Sequence, residues 1–501
     1  MQSRALAFGL ASSLLLAGAG FCGAARAQEQ AVSTARPEPP ADPRDSELAE
    51  LRAEVRALAA QVADLKAATS ANFKAVRETA ETAPKVSVAA GRPQFESADG
   101  EFKLALRSVV QFDAAHYKVS PLTSANDLGS GTTFRRARLG FDGSAFKVWN
   151  YALWADFGGT GGESAILNQA FIEYAGWKPF GLADPVRFRV GAWATPAGLE
   201  DATGNAEMVF LERPAIAELV RGLAAGDGRT GVGAFANGER WYASAVLTGK
   251  VVGVPSTAEF NQQAGYVLRA AFNPFHGQDF DTHVGASAQG VLTPADTAAG
   301  PVTAQAIRLQ ERPESRVTGV RLVDTGVIAA DGATIYGLEA GASYGPAYVA
   351  GEWFKIDVDR TFVGAAPSPF RPSFSGWYVQ GSYALTGERH VWSAQNGGFR
   401  GLRPSHAFEL ASGGWGAWEL AARYSEVDLN DRAGALGIAA PLGGIRGGEQ
   451  RVSTLGLNWY PNSVIRFLLD YQRVRVSRLT AAGANLGEAV DTVALRSQFS
   501  F

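Results

Sequence analysis

Arginines are the residues of this sequence whose type and spacing point most directly to chemistry. They occur where polar and apolar side chains alternate, and some of them stand two positions apart, as Arg136 and Arg138 do and as Arg187 and Arg189 do. Residues two apart on a β-strand project from the same face, and the planar, permanently charged guanidinium group suits phosphate and carboxylate. Such strand faces would attract anions. The nine candidates are Arg107, Arg136, Arg138, Arg187, Arg189, Arg269, Arg423, Arg466 and Arg496.

Carboxylates share these polar faces, so two interpretations remain open. In the first, the arginines outnumber the acids, face water and favour anions. In the second, the arginines pair with the acids and brace a wall. We take Asp156 as a candidate pore-lining residue beside the nine arginines. The acids on the same faces are Asp113, Asp142, Asp156, Glu173, Glu419 and Asp470.

A β-barrel is the element that would position these side chains. From residue 100 onward the sequence alternates with period two until it ends at Phe501, as strands with one lipid-facing and one water-facing side do. At roughly 25 residues per strand and connection, this length predicts about 16 strands and a water-filled interior. The expected fold is therefore an all-β, transmembrane antiparallel β-barrel over residues 100–501.

Aromatic residues and connection lengths support this prediction. Tyr344 and Tyr348 flank one tight turn, and Trp459 and Tyr460 precede another, as in the aromatic girdles of outer-membrane barrels. A short run at 405–411 also alternates and is expected to form a strand. Long connections are expected at 119–131, 158–165, 194–228, 292–333, 359–373, 388–404 and 429–450. The terminal Phe501 resembles the signal that barrel assembly machinery recognises.

The N-terminus predicts export. Arg4, an apolar stretch and an Ala25-Arg26-Ala27 cleavage site indicate a signal peptide over residues 1–27. An anchor helix is disfavoured because the apolar part is short. Cys22 raises a lipoprotein alternative, which the bulky Phe21 before it disfavours. Without Cys22, the mature chain has no disulfide and no thiolate metal site.

A short helix is expected between two linkers. Residues 28–45 are rich in proline and polar, residues 46–69 carry a heptad pattern, and residues 70–99 lead to the barrel. The pattern predicts a coiled coil in the periplasm, although a single amphipathic helix packed on another surface is also possible. Its seam consists of Leu48, Leu51, Val55, Leu58, Val62 and Leu65.

The long connection from Thr195 to Gly228 is more apolar than a solvated loop should be. We expect it to fold inward and narrow the pore, with Glu200, Asp201, Glu212 and Arg213 near the constriction. The alternative is that it packs over a neighbouring subunit.

Composition limits the other function classes. Loss of Arg4 and Arg26 takes the formal net charge from −3 to −5, which argues against a nucleic-acid partner. The five histidines accompany no nucleophile motif, so an enzyme is not expected, nor is a cofactor or metal. A general porin of weak ion preference and a barrel that tethers the envelope through its coiled coil remain alternatives.

Several motifs together resemble the phosphate-selective porin O and P family. The resemblance covers roughly residues 95–501 and implies a homotrimer of 16-stranded barrels in the outer membrane, with an arginine ladder and an inward loop. It implies lumen positions for Arg136 and Arg138 and a constriction position for Asp156. The matching segments are 134–139 (FRRARL), 155–158 (ADFG), 191–200 (GAWATPAGLE), 210–213 (FLER), 377–388 (WYVQGSYALTGE), 455–462 (LGLNWYPN) and Phe501.

One departure limits the expected selectivity. The family often has lysine where this chain has Ala194, and the lysines of this barrel are not clustered in the long loop. The sequence thus predicts an outer-membrane porin for small anionic solutes, embedded in outer-membrane lipid, with a periplasmic N-terminal segment. Strict phosphate selectivity does not follow.

Overall fold

A computed structural model describes residues 43–89, 91–121, 127–159, 167–252, 261–296 and 305–501 of the chain. The expected signal peptide, and most of the linker that follows it, lie outside the described residues. The chain divides into two compact units, Met1–Glu78 and Thr79–Phe501.

The described part of the first unit, residues 43–78, belongs to a single helix, α1, Pro43–Thr82. Helix α1 is longer than the expected segment 46–69, because it continues to Thr82. A hairpin of two strands, Lys85–Ala89 and Arg92–Glu96, follows it. The prediction of a linker over residues 70–99 was therefore wrong. The reason is local, because residues 44–83 contain no glycine or proline and helix formers predominate. No residue of α1 is buried, so its coiled-coil pairing stays a prediction.

Sixteen strands form the closed antiparallel barrel that the sequence predicts. They are β1 Phe102–Ser120, β2 Gly131–Ala145, β3 Trp149–Asp156, β4 Leu167–Trp177, β5 Val186–Thr195, β6 Gly226–Asn237, β7 Trp241–Val251, β8 Ala264–Phe272, β9 Phe280–Thr293, β10 Ile328–Tyr344, β11 Ala347–Arg360, β12 Ser373–Ala384, β13 Ala417–Asp431, β14 Ile445–Tyr460, β15 Ile465–Ser477 and β16 Glu488–Ser500. The barrel closes where β16 pairs with β1, with Arg496 opposite Asp113. Strand Arg92–Glu96 pairs with the first part of β1.

Each strand has an apolar outer face and an inner face that is largely enclosed. On β16, Val493 and Leu495 are exposed while Thr492 and Arg496 are buried. This phase is required because an arginine in contact with lipid near the bilayer midplane costs about 2–4 kcal/mol. At the short-turn end, Trp459 stacks between Trp418 and Phe467, with ring centroids 5.5 Å apart in each pair.

Part of the inner face is apolar and packs against the connection between β5 and β6. This connection contains a single turn of helix, α2 Leu199–Ala202, and a longer helix, α3 Ala215–Ala224. Ile216 and Val220 of α3 are fully buried in a cluster with inward residues of the wall such as Phe374. A Cβ on Gly376 would lie 2.8 Å from Cβ of Ile216, so glycine permits this close approach.

The expected strand at 405–411 was wrong: no barrel strand lies between β12 and β13, in residues 385–416. This connection therefore leaves the barrel at the same end as the short turns, which is the periplasmic end in outer-membrane barrels. It contains a small hairpin, Trp392–Ser393 paired with Gly398–Phe399, whose four residues are all buried. The run at 405–411 is too short to span the barrel wall and lies beyond this hairpin. No helix among the described residues is long and apolar enough to cross a membrane.

Candidate pore constriction and lumen charges

The connection between β5 and β6 lies inside its own barrel. Asp470 on β15 accepts a hydrogen bond from the backbone N–H of Leu211, at 3.0 Å. Glu352 on β11 accepts from the N–H groups of Leu199, at 2.6 Å, and Glu200, at 3.0 Å. Because Asp470 and Glu352 are buried on the inner face, these bonds fix the loop across the lumen rather than over a neighbouring subunit.

Glu212 is the point at which this loop meets the most arginines. Its carboxylate lies 2.9 Å from Arg135, 2.6 Å from Arg496 and 3.7 Å from Arg316. Burial of Glu212 would raise the pKa of its carboxyl, but the surrounding arginines outweigh burial and hold that pKa well below its usual range. Glu212 is thus an ionised anchor for the loop.

A continuous chain of ion pairs extends from Glu212 through α3. Arg316 lies 3.3 Å from Glu218, whose pKa falls to about 2 because Arg316, Arg221 and Arg213 outweigh the effect of burial. Arg221 lies 2.6 Å from both Asp201 and Asp227. Among the described residues, these ion pairs join eight arginines to seven carboxylates, so their charges are nearly balanced. The members of this network are Arg135, Arg136, Arg138, Arg213, Arg221, Arg316, Arg321, Arg496, Asp113, Asp156, Asp201, Glu212, Glu218, Asp227 and Glu311.

The structure places all nine predicted arginines on the inner side of the wall, and seven have a carboxylate within 4.0 Å. The shortest of these N–O distances are 2.6 Å for Arg107 to Asp142, 3.9 Å for Arg136 to Glu212, 2.7 Å for Arg138 to Asp156, 2.7 Å for Arg189 to Glu173, 2.6 Å for Arg269 to Glu339, 2.5 Å for Arg423 to Glu314 and 2.6 Å for Arg496 to Glu212. Arg187 and Arg466 instead donate to neutral groups, Asn237 Oδ1 at 3.2 Å and the Val209 carbonyl at 3.3 Å.

The loop residues predicted near the constriction are also brought together. Asp201 lies 3.3 Å from Arg213, and Glu200 accepts a hydrogen bond from Gln380 on β12 at 2.8 Å. Burial raises the pKa of Glu200, although Arg423 and Arg213 oppose this shift. The predicted cluster therefore exists, but it is a set of buried pairs rather than a ring of free charges.

Arg135 is an inward residue that simple alternation missed. The pairing of β1 with β2 shifts between Gln111 and Phe112, so that Arg136 faces Gln111 while Phe134 faces Phe112. Arg135 is the extra residue of this bulge, and its side chain turns to Glu212. The sequence feature that could have indicated this bulge is the pair of adjacent arginines, Arg135 and Arg136. On a regular strand one of two neighbouring residues would face lipid, whereas a bulge lets both face inward.

The connection between β12 and β13 reaches the loop from the opposite end. Arg269 on β8 donates to the carbonyls of Asn396, at 2.8 Å, and Gly397, at 2.6 Å. The Asn396 side chain donates to the carbonyl of Ala202 at the end of α2, at 2.7 Å. The lumen is therefore crossed by two segments that touch, and the sequence predicted only one of them.

Two histidines hold this second segment. Trp392 Nε1–H donates to Nδ1 of His283 at 3.1 Å, so the proton of that ring is on Nε2, which faces Glu339 at 2.9 Å. His390 Nε2 lies 2.7 Å from Glu419. These side chains connect the segment to the wall. In the described part of the chain, no group of three or more His, Cys, Asp or Glu is placed to hold a metal ion.

Beside these segments, a vestibule of about 600 Å³ lies against the N-terminal hairpin and the inner face of β1–β5. Two of its cations are less enclosed than the side chains of the network: Lys103 is 56% exposed and Arg107 is 35% exposed. Five cations line the vestibule against three carboxylates. They are Lys85, Arg92, Lys103, Arg107 and Arg189, against Glu96, Asp142 and Glu173.

The sequence profile described as "Phosphate-selective porin O and P" matches residues 102–501, which is most of the chain. The chain belongs to the phosphate-selective porin O and P family. An uncharacterized protein of Caulobacter vibrioides is 29% identical over 423 residues, which cover 79% of this chain and 75% of that protein. Porin O of Pseudomonas aeruginosa is 25% identical over 432 residues, which cover 83% of this chain and 93% of Porin O.

Solved barrels also resemble this porin. OmpT, an outer membrane protein of Vibrio cholerae, matches with a TM-score of 0.47 and 12% identity over 80% of this chain and 98% of that one. An anion-selective porin from Comamonas acidovorans matches with a TM-score of 0.42 and 14% identity over 80% of this chain and all of that one, at 100%.

Family membership and the closed barrel make this protein a porin of the bacterial outer membrane, a channel rather than an enzyme.

Proposed function

We propose that this porin lets small solutes diffuse through a narrow, water-filled path and favours anions, phosphate-like anions among them. The observation that carries the proposal is the vestibule, where five cationic side chains face three carboxylates. Partly exposed charges of one sign attract mobile counter-ions into a cleft. The description of the family to which the chain belongs, phosphate-selective porin O and P, adds support for an anion-conducting role.

The arginines then have two different roles. In this proposal Arg107 and Arg189 line the vestibule and act on ions, while the other seven arginines hold the inward segments. These seven are Arg136, Arg138, Arg187, Arg269, Arg423, Arg466 and Arg496, and Arg187 donates to the carbonyl of Gln395 at 3.3 Å. Arg496 and Arg269 are at most 1% exposed and bonded to carboxylates, so they offer little charge to a passing ion. The loop with Glu200, Asp201, Glu212 and Arg213 would set the width of the path rather than its sign.

A weakly selective general porin is the second candidate, because the ion-pair network is nearly balanced. The two candidates differ in the reversal potential across a planar bilayer that separates two concentrations of potassium chloride or potassium phosphate. Anion preference predicts a potential displaced toward that of the anion. A potential near zero would favour the general porin and count against our proposal.

Two vestibule cations allow a sharper experiment, since neither Lys85 nor Arg92 has a carboxylate partner within 4.0 Å among the described residues. Replacing both with glutamine removes the excess charge of the vestibule and should bring the reversal potential close to zero. Lys118→Gln with Lys355→Gln is the matched control, because it removes two cations from the outer face of β1 and β11. An unchanged potential in the first variant would contradict the vestibule as the source of selectivity.

We also propose that three copies of α1 form a coiled coil in a homotrimer. The seam residues Leu48, Leu58 and Leu65 are 48%, 53% and 70% exposed in a single chain. A lone helix with its apolar seam in water gains little stability, whereas knobs-into-holes packing would cover it. This arrangement could also attach the barrel to other envelope components, as an envelope tether would require.

A further inference from the structure

Three arginines lie on the outer face of the barrel, where lipid-facing side chains are expected. Arg451 is on β14, and Arg473 and Arg475 are on β15. They alternate with the buried inner residues Val452 and Val474. The side chains of Arg451 and Arg473 are 53% and 51% exposed, so they do not face the lumen.

The register brings two of these charges together. Arg451 and Arg475 are direct cross-strand partners, and like charges in this position destabilise a sheet unless something else compensates them. Arg451 is bonded to Glu449 and lies 3.2 Å from Glu426, and Arg473 lies 3.9 Å from Asp491. Within the described residues, Arg475 has no carboxylate within 4.0 Å.

Tyrosines place this cluster at the level of lipid headgroups. Tyr471 donates a hydrogen bond to Asp491 at 2.9 Å, and Tyr424 donates to Glu426 at 3.1 Å. Tyrosine is typical of the membrane–water interface, and an outward arginine costs only about 0–1 kcal/mol there. The cluster is on the side of these tyrosines away from the short turns, which is the outer-leaflet side.

Two adjoining grooves accompany the cluster. One has a volume of about 340 Å³ and is lined by all three arginines together with Tyr424, Glu449 and Ser453. The other has a volume of about 530 Å³ and shares Tyr424, Ser453 and Arg473 with the first. Outward residues of the second groove include the small Gly381 and Ala422 between the larger Val349, Val379 and Leu455. A basic groove thus continues into an apolar one.

We propose that this pair of grooves binds one outer-leaflet lipid, with a phosphate-bearing headgroup on Arg451, Arg473 and Arg475 and an acyl chain across Ala422. Phosphate would compensate the opposed Arg451 and Arg475, because guanidinium groups bind it through two parallel hydrogen bonds. Glu426 and Glu449 would stay paired with Arg451, and Asp491 would stay paired with Arg473. Free phosphate has no apolar part that could occupy the second groove, so we assign the site to a lipid. The site lies outside the lumen and is independent of the proposed conduction.

The test is binding of bis-phosphorylated lipid A to the mature protein in detergent, followed by native mass spectrometry. We expect replacement of all three arginines with glutamine to weaken binding by about tenfold or more, as loss of charge-assisted bonds does. Lys355→Gln is the control, because it removes a cation from the outer face of β11 and lies outside both grooves. Equal binding by the triple variant and the control would overturn the proposal.

Three further comparisons separate the lipid from other occupants. Ala422→Leu fills the apolar groove and should weaken lipid A while the arginines remain. Dephosphorylated lipid A should bind less tightly than the phosphorylated form, and millimolar inorganic phosphate should not displace it. The proposal fails if free phosphate competes fully. It also fails if the triple variant loses its oligomeric state in lipid-free detergent, since the cluster would then be a subunit contact.

Discussion

Arg496 on the last barrel strand and Glu212 on the inward loop lie 2.6 Å apart, although 284 residues separate them in the sequence. The same arginine donates to Asp113 on the first strand, at 2.7 Å. One guanidinium group therefore joins the closure of the barrel to the segment that crosses its lumen. The loop is held by buried charge rather than by apolar contact alone.

Glu212→Gln should release this end of the loop. It leaves Arg135 and Arg496 buried with less negative charge, and breaking a buried ion pair costs about 3–5 kcal/mol. We expect a lower thermal midpoint, measured from the gel mobility of the folded barrel, and larger fluctuations of single-channel current. Glu207→Gln on the same loop is the control, because the partner of Glu207, Arg403, is 61% exposed. Equal midpoints for the two variants would contradict the anchor role.

Deletion of residues 199–219 should raise single-channel conductance several-fold, because the deleted segment crosses the lumen and bonds to Glu352 and Asp470. Deleting 433–442, an exposed part of the connection between β13 and β14, serves as the control and should leave conductance nearly unchanged. Only variants with folded-barrel gel mobility are compared. A folded deletion with unchanged conductance would show that this loop does not limit the path.

The connection between β12 and β13 should also restrict single-channel conductance, from the periplasmic side of the barrel. Replacing residues 389–404 with a short Gly-Ser turn removes Asn396, which meets Ala202, and Trp392, which meets His283. We expect higher conductance than in the parent and a more easily displaced loop, seen as faster tryptic cleavage after Arg221, which Gly222 follows. Parent-like conductance in the folded variant would mean that the path bypasses this segment.

Acid should remove the stabilising charge of Glu218 only at low pH. The pKa of Glu218 in the folded protein, about 2, lies below its usual 4.5, so its ionisation stabilises the folded state fully above about pH 4.5. That contribution is lost as the pH falls toward 2. Glu218→Gln should therefore lower stability at pH 7, and its difference from the parent should shrink between pH 4.5 and 2. A difference that does not change with pH would contradict the sign of this shift.

The coiled-coil proposal makes a prediction about assembly. Leu58→Lys puts a charge in the centre of the α1 seam and should lower the temperature at which the oligomer dissociates. Ala60→Lys, on the same exposed helix but outside the seam, should not. The measurement is oligomer size in detergent by sedimentation, as a function of temperature. Identical dissociation in both variants would favour an unpaired amphipathic helix.

The sequence by itself determined the barrel and the phase of its strands. Period-two alternation sets which side chains face lipid, and the cost of a lipid-facing arginine makes that assignment nearly independent of other contacts. Arg107, Arg189 and Arg496 could therefore be placed on the inner face from local pattern alone. The strand count followed from length because each strand has to span the same membrane thickness.

Only the tertiary structure decided what those arginines do. Arg135 turned inward because a bulge shifts the register of β1 and β2 by one residue. The pairing of Arg423 with Glu314 and of Arg496 with Glu212 joins segments separated by more than 100 residues, and no local pattern specifies such contacts. Residues 385–416 could not be assigned to the periplasmic end until the strands were counted in three dimensions. The proposed anion preference thus depends on which charges remain unpaired, and that depends on the folded chain rather than on its composition.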